Sequence, residues 1–303
     1  MQIDRRSLLI GTFASLLAGK HAQANDLSTL FRTIPSSGVK IPAIGMGSWL
    51  TFDITPEGPA FETRVKILKE FFKHGGALID SSPMYGRSEQ VIGRCLEKLN
   101  FPPSCFSATK VWTTGREAGI AEMETSRTLW KIPGFSLLQI HNLLDWKNHM
   151  HTLQDWKEKG RVQYIGITTY GGLRHSEMEM IMKAYPIDFI QLTYNILDRE
   201  AEQRLLPLAA EKNIGVIANR PFQGGSLFSY VSNKKLPAWA GEIDCNNWAQ
   251  FFLKYITSHP HITCAIPATS QVSHMQENMG ALMGKQPNPS HRAQMEQYFS
   301  KIV

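Results

Sequence analysis

Cysteine is scarce in this chain: four in 303 residues, with no C-x-x-C pair among them. That spacing leaves no zinc ribbon and no dithiol redox centre. Cys95, Cys105, Cys245 and Cys264 read as packed thiols, with room for one disulfide in an oxidising compartment. There is also no run of Lys or Arg and no basic–aromatic stripe, so no nucleic acid is expected as a partner. The net charge of +6 is mild, and +2 of it falls in the first 24 residues, where Arg5, Arg6 and Lys20 face a single acid, Asp4. No linker, low-complexity tract or domain boundary interrupts the remainder. An apolar content of 43% and a charged content of 19% describe an ordinary globular chain rather than a disordered one.

What is present begins with an address. "MQIDRRSLLIGTFASLLAGKHAQA" has a basic start, an apolar middle over 8–17 and an A-x-A cleavage pattern at Ala22-Gln23-Ala24. The apolar run is too short to span a bilayer, so no stable membrane insertion is expected after processing. Arg5-Arg6 before Ser7-Leu8-Leu9 resembles a twin-arginine export signal. The expectation is a signal peptide over 1–24 cleaved after Ala24. The twin-arginine translocase would be its partner, with periplasmic delivery of a single domain over 25–303.

Past residue 25 the punctuation becomes regular. Short, nearly all-apolar segments recur at 42–47, 77–80, 106–111, 135–141, 162–168, 187–193, 214–218 and 262–266. Such runs suit parallel strands covered on both faces. Helix-like segments alternate with them, among them 61–73, 89–99, 149–159, 176–184, 200–212, 245–258 and 271–283. Eight such repeats predict an α/β fold, a (β/α)8 TIM barrel. A doubly wound sheet would place a Gly-rich phosphate turn after its first strand. "GMGSWL" has no third glycine there. "FRTIPSSGVKIPA" reads as an N-terminal hairpin closing the bottom of the barrel.

Barrel chemistry sits where strands end. Asp80 ends the second predicted strand, Lys110 lies near the end of the third, and His141 ends the fourth. The spacings are 30 and 31 residues, one βα unit each time. Tyr85 follows Asp80 in "ALIDSSPMYGRSEQVIG". A phenol, with a pKa of about 10, is a poor proton donor near neutrality. A nearby Lys⁺ lowers that pKa, and a buried lysine keeps its proton only beside a carboxylate. Asp80 supplies the carboxylate, and His141 can orient a substrate oxygen. By contrast, His149-x-His151 and His259-x-His261 lack acidic company and read as surface.

These residues are where a resemblance enters. Over about 30–285 the chain resembles an aldo-keto reductase, with Asp80, Tyr85, Lys110 and His141 matching the catalytic tetrad and "LLQIHN" matching the motif of strand four. The resemblance implies hydride transfer between a nicotinamide cofactor and a small-molecule carbonyl substrate, an aldehyde or ketone, with Tyr85 as proton donor. It places Gln191 at the nicotinamide amide, and Gly47, Thr168 and Thr169 among the cofactor contacts. It makes "FQGGSLF" (Phe222, Gly224, Ser226, Leu227) the loop strapping the pyrophosphate through backbone N–H groups. Trp49, Met84 and Trp112 fall at the substrate pocket. "IPATSQVSHMQEN" matches the C-terminal cofactor frame, with Thr269, Ser270, Glu277 and Asn278.

The departures are specific. Thr168-Thr169 stands for the usual Ser-Asn. Asn219 replaces the aromatic that stacks on nicotinamide. Ala268 and His274 replace the cations that grip a 2′-phosphate, and Arg220 is the compensating cation. NADP(H) is accordingly expected over NAD(H). Two alternatives remain open: a cofactor-binding sensor or partner subunit with negligible turnover, and a lyase or aldolase forming a Schiff base on Lys110.

Overall fold

A computed structural model describes residues 29–303. The expected signal peptide, with Arg5 and Arg6, lies outside the described residues. Two strands, β1 (Phe31–Thr33) and β2 (Lys40–Pro42), form an antiparallel hairpin. Eight parallel strands follow: β3 (Met46–Gly47), β4 (Leu78–Asp80), β5 (Phe106–Val111), β6 (Phe135–Ile140), β7 (Val162–Thr168), β8 (Phe189–Thr193), β9 (Gly215–Asn219) and β10 (Cys264–Ala265). Each pairs with its sequence neighbour, and parallel bridges Ile44–Ala265 and Gly47–Ala268 close the ring. The (β/α)8 barrel expected from the sequence is therefore the fold.

The glycines of "GMG" serve this closure. Across the seam, a Cβ on Gly45 would meet Cys264 Sγ at 3.0 Å, and one on Gly47 would meet the Ile266 carbonyl oxygen at 2.9 Å. Any larger residue would push the seam apart.

The helices are α1 (Gly58–Lys73), α2 (Ser88–Lys98), α3 (Arg116–Trp130), α4 (Trp146–Glu158), α5 (His175–Ala184), α6 (Leu205–Glu211), α7 (Ser226–Val231), α8 (Trp248–Thr257), α9 (Val272–Gly280) and α10 (Pro289–Ser300). Three of them, α3, α7 and α10, lie outside the segments named from periodicity. The predicted helix over 200–212 is split. A 3-10 turn, Glu200–Gln203, gives way at Arg204 to α6, whose Pro207 has no N–H to continue an earlier helix. The first predicted strand, 42–47, shrinks to Met46–Gly47, because Pro42 belongs to the hairpin.

Alternate strand residues point into the barrel, and they change character with height. The lower interior is apolar: Leu78, Ala108, Leu137, Tyr164, Phe189, Ile217 and Cys264 form one buried cluster. Ile34 and Ile41, from the turn and second strand of the hairpin, belong to the same cluster, and Tyr164 donates its hydroxyl to Ser37 in that turn at 2.8 Å. The hairpin thus plugs the base. Ile34 is fully buried, and truncating such a residue to Ala costs about 2–5 kcal/mol. One residue pair higher, the interior turns polar: Asp80, Lys110, Gln139 and Gln191, each at most 2% exposed. The strands' apolar appearance comes from this lower interior together with their outward faces, which pack under the helices.

Candidate active site

Burying a lysine and an aspartate together demands that every charge and donor be matched. Lys110 Nζ lies 2.5 Å from Asp80 Oδ2 and donates to the Ser81 carbonyl at 2.8 Å. The other carboxylate oxygen, Asp80 Oδ1, accepts from the side-chain amides of Gln139 at 3.0 Å and Gln191 at 2.9 Å. Burial alone would strip the Lys110 proton. The charge and hydrogen bond of Asp80, with Tyr85 adding to them, outweigh that and raise the lysine above its ordinary range.

Lys110 Nζ sits 5.1 Å from the centre of the Tyr85 ring. Burial pushes the phenol's pKa up, against the lowering pull of Lys110, and the net shift is upward. This corrects the expectation that the lysine lowers it: desolvation wins in this state, and Tyr85 is held as an intact acid. The His141 ring meets Tyr85 edge-on with centres 5.6 Å apart, and Trp112 tilts over His141 at 5.0 Å. Burial first, and Lys110 second, depress His141 to about 2, so it is neutral. Its Nδ1 lies 2.8 Å from Ser82 Oγ, which already accepts from the Met84 N–H. With the Ser82 hydroxyl assigned as the hydrogen-bond donor to Nδ1, the neutral ring carries its hydrogen on Nε2.

Around this centre, Thr168 Oγ1 accepts from the Asn142 N–H, and Asn219 bridges strand ends, donating to the Thr169 carbonyl at 2.9 Å and accepting from Thr193 at 2.7 Å. Gln191 lies inside the barrel with its amide committed to Asp80 and, at 3.3 Å, Gln139. Thr169 Oγ1 is buried with no partner among the described residues. Gly47 sits in the barrel seam. Trp49 and Met84 stand exposed at the rim, 43% and 49% accessible.

The 222–228 loop carries Gly224 and Gly225 at φ 68° and 101°, a backbone only glycine adopts cheaply, followed by Ser226 and the buried Leu227 at the start of α7. Phe222 packs on Phe228 at 4.8 Å. Arg220 makes no ion pair among the described residues, and its Nη2 reaches to 3.5 Å of the space a Cβ on Gly224 would fill. Thr269 Oγ1 is engaged with the backbone of Gln271, and Ser270 is exposed one step before it, at the N-terminus of α9. Glu277 and Asn278 lie on α9, the former half-buried and the latter buried.

Sequence reasoning missed several members. Gln139 and Ser82 lie inside quoted motifs, yet nothing in their residue types marks them as partners of Asp80 and His141. His149, read as surface, is fully buried under α3. His259 is half-buried against Tyr194 at 5.5 Å, and burial depresses it to about 4. No disulfide forms among the described residues: all four thiols are free, and burial raises each of them above the ordinary thiol range. A groove of about 820 Å³ lies between the C-terminal ends of α3 and α4 and holds none of the tetrad.

Comparison with known proteins agrees with this geometry. A sequence profile of the Aldo/keto reductase family matches residues 43–291. Aldo-keto reductase YhdN of Bacillus subtilis is 23% identical over 199 residues, covering 61% of this chain and 59% of that relative, so less than two thirds of its length is matched. Among solved structures, an aldo/keto reductase from Klebsiella pneumoniae in complex with NADP and acetate superposes with a TM-score of 0.73 at 20% identity, over 86% of this chain and 93% of that one. The holo form of AKR11C1 from Bacillus halodurans gives 0.73 at 19% identity, over 91% and 98%. At these identities the structures speak for the barrel. The profile, spanning most of the chain, speaks for descent: the chain belongs to the aldo/keto reductase family.

Proposed function

We propose that this protein is an NAD(P)H-dependent carbonyl reductase, converting an aldehyde or ketone to the alcohol. The observation that carries the reading is the intact Tyr85 phenol over a lysine kept charged by Asp80, at the polar end of a closed barrel. Reducing a carbonyl requires a hydride at carbon and a proton at oxygen. The nicotinamide, when bound, supplies the hydride. Tyr85 gives its proton to the oxygen, and Lys110 stabilises the phenolate that forms. His141, neutral, offers Nε2–H to the same oxygen and fixes its position. Asp80 keeps Lys110 protonated throughout.

The residues present fit a nicotinamide nucleotide. Thr169 Oγ1 is a buried polar group lacking a partner, which a bound carboxamide would satisfy. Gln191, Thr168 and Asn219 line the same strand ends. The bare backbone of Gly224–Gly225, with Phe222, Ser226 and Leu227, would hold the pyrophosphate. Arg220 with Ser270 and the N–H groups of α9 would hold a 2′-phosphate, with Thr269 shaping that turn and Glu277 and Asn278 on the adenosine side. This set supports our reading that NADP(H) is taken over NAD(H). We also infer export through the twin-arginine route, from Arg5-Arg6 and Ala22-Gln23-Ala24.

A Schiff-base reaction on Lys110 is disfavoured by its ion pair, since a protonated amine is no nucleophile. The test is steady-state NADPH consumption with aromatic and aliphatic aldehydes. Sustained turnover supports the reading. A single stoichiometric oxidation of bound cofactor without turnover would support the sensor instead.

A further inference from the structure

Three side chains from two helices and a helix start converge on the loop after β5, and none belongs to the tetrad. Glu122 of α3 accepts from the Trp112 N–H through Oε2. His149 of α4 places Nε2 at 2.8 Å from the Thr113 carbonyl oxygen. Asp145, which starts α4, accepts from the Gly115 N–H at 2.7 Å. Over four residues, 112–115, the backbone is thus tied at both ends and in the middle.

The His149 contact fixes its chemistry. A carbonyl only accepts, so Nε2 carries the hydrogen. Nδ1 is buried with no partner among the described residues. The ring is held in place by a missing side chain: a Cβ on Gly119 would meet its Cε1 at 2.5 Å and Nδ1 at 2.7 Å. Glycine inside a helix costs about 1 kcal/mol against alanine, and here that cost makes room for the imidazole. Asp145 is itself braced by Asn148, which donates to both of its oxygens at 2.9 and 3.0 Å. The far side of the loop carries the Trp112 indole, 5.0 Å from the His141 ring.

We propose that Glu122, His149 and Asp145 form a three-point clamp on the 112–115 loop that sets the position of Trp112 over His141, making them positioning residues that determine which carbonyl substrates fit. The specificity half of this rests on the carbonyl-reductase reading. The clamp itself does not. Loosening the loop lets the indole drift, so a bulky substrate and a small one are affected differently, while Asp80, Lys110 and Tyr85 stay in place.

The test compares wild type with Glu122→Leu, His149→Phe, Gly119→Ala and the conservative Glu122→Gln, which keeps an oxygen acceptor. Hydrogen–deuterium exchange of the peptide covering 112–115 should accelerate at least tenfold in the first three and stay near wild type in Glu122→Gln. Peptides from β6 to β9 serve as the internal reference. The ratio of kcat/KM for a naphthaldehyde to that for propionaldehyde should change by on the order of tenfold, the scale on which pocket fit discriminates. Glu122→Gln should restore that ratio. Unchanged exchange at 112–115, or acceleration spread evenly through the barrel, would overturn the clamp. Local acceleration with an unchanged ratio would overturn its role in specificity. A wild-type enzyme that reduces neither aldehyde would count against the proposed function, and the exchange data would still decide the clamp.

Discussion

Asp80 is the residue on which the interior depends. It sits at the boundary between the apolar lower barrel and the polar upper one, and it accepts from Lys110, Gln139 and Gln191 at once. Lys110 could not remain charged there alone, because breaking a buried pair costs about 3–5 kcal/mol. His141 shows the opposite solution, burial as a neutral ring. Its folded pKa, about 2, lies below the unfolded reference of about 6.5. A depressed pKa means the unfolded chain binds the proton first as pH falls. The stability that His141 contributes is therefore complete above about pH 6.5 and declines toward pH 2. By pH 5 the loss reaches about 2 kcal/mol. We predict that His141→Gln, compared with wild type in urea at pH 7 and pH 5, shows a smaller fall in midpoint. Parallel shifts in the two proteins would mean that the ring is not buried neutral.

Among the elements, the 222–228 loop shows most clearly what the sequence could and could not convey. Gly224 and Gly225 were legible as a loop, and the start of α9 just after Ser270 was legible from its frame. The Arg220 guanidinium has no ion pair among the described residues and reaches toward the glycine turn. Arg220→Ala should weaken NADPH binding by roughly tenfold or more and spare NADH, as a lost charge-assisted contact to phosphate requires. Equal effects on the two cofactors in a fluorescence titration would remove Arg220 from the 2′-phosphate. The clamp on Trp112 was illegible. Glu122 looks like any exposed helix acid, and His149 lies two residues from an exposed His151, so only the packing of α3 on α4 tells them apart. Gln139 was hidden differently. It lies in an apolar run whose outward faces dominate the pattern, and its inward direction follows only from barrel register opposite Lys110 and Gly166.

At the scale of the whole molecule, the fold separates stability from chemistry by height. The hairpin and the lower interior hold the barrel shut, and the polar layer above faces the loops that carry Trp49, Met84, Trp112 and Arg220. Eight strand-length runs at βα spacing were enough to read this architecture. The break at Arg204 and the shortened β3 were not readable, because one depends on Pro207 and the other on where the hairpin ends. Export belongs to the same scale. Arg5→Lys with Arg6→Lys should leave an unprocessed precursor in the cytoplasm, seen as a heavier band in a fractionation blot. Normal processing after Ala24 in cells lacking the twin-arginine translocase would point to the general secretion route.

The central claim is that the Tyr85 phenol delivers the proton in a carbonyl reduction. Rapid mixing of the NADPH-loaded protein with excess 4-nitrobenzaldehyde, followed at the cofactor's absorbance, measures that step in wild type and Tyr85→Phe. The account predicts that the variant binds NADPH as wild type does and oxidises it about 10²–10⁴-fold more slowly, the range for loss of a general acid. A Tyr85→Phe protein that oxidises bound NADPH within a few-fold of the wild-type rate would contradict it.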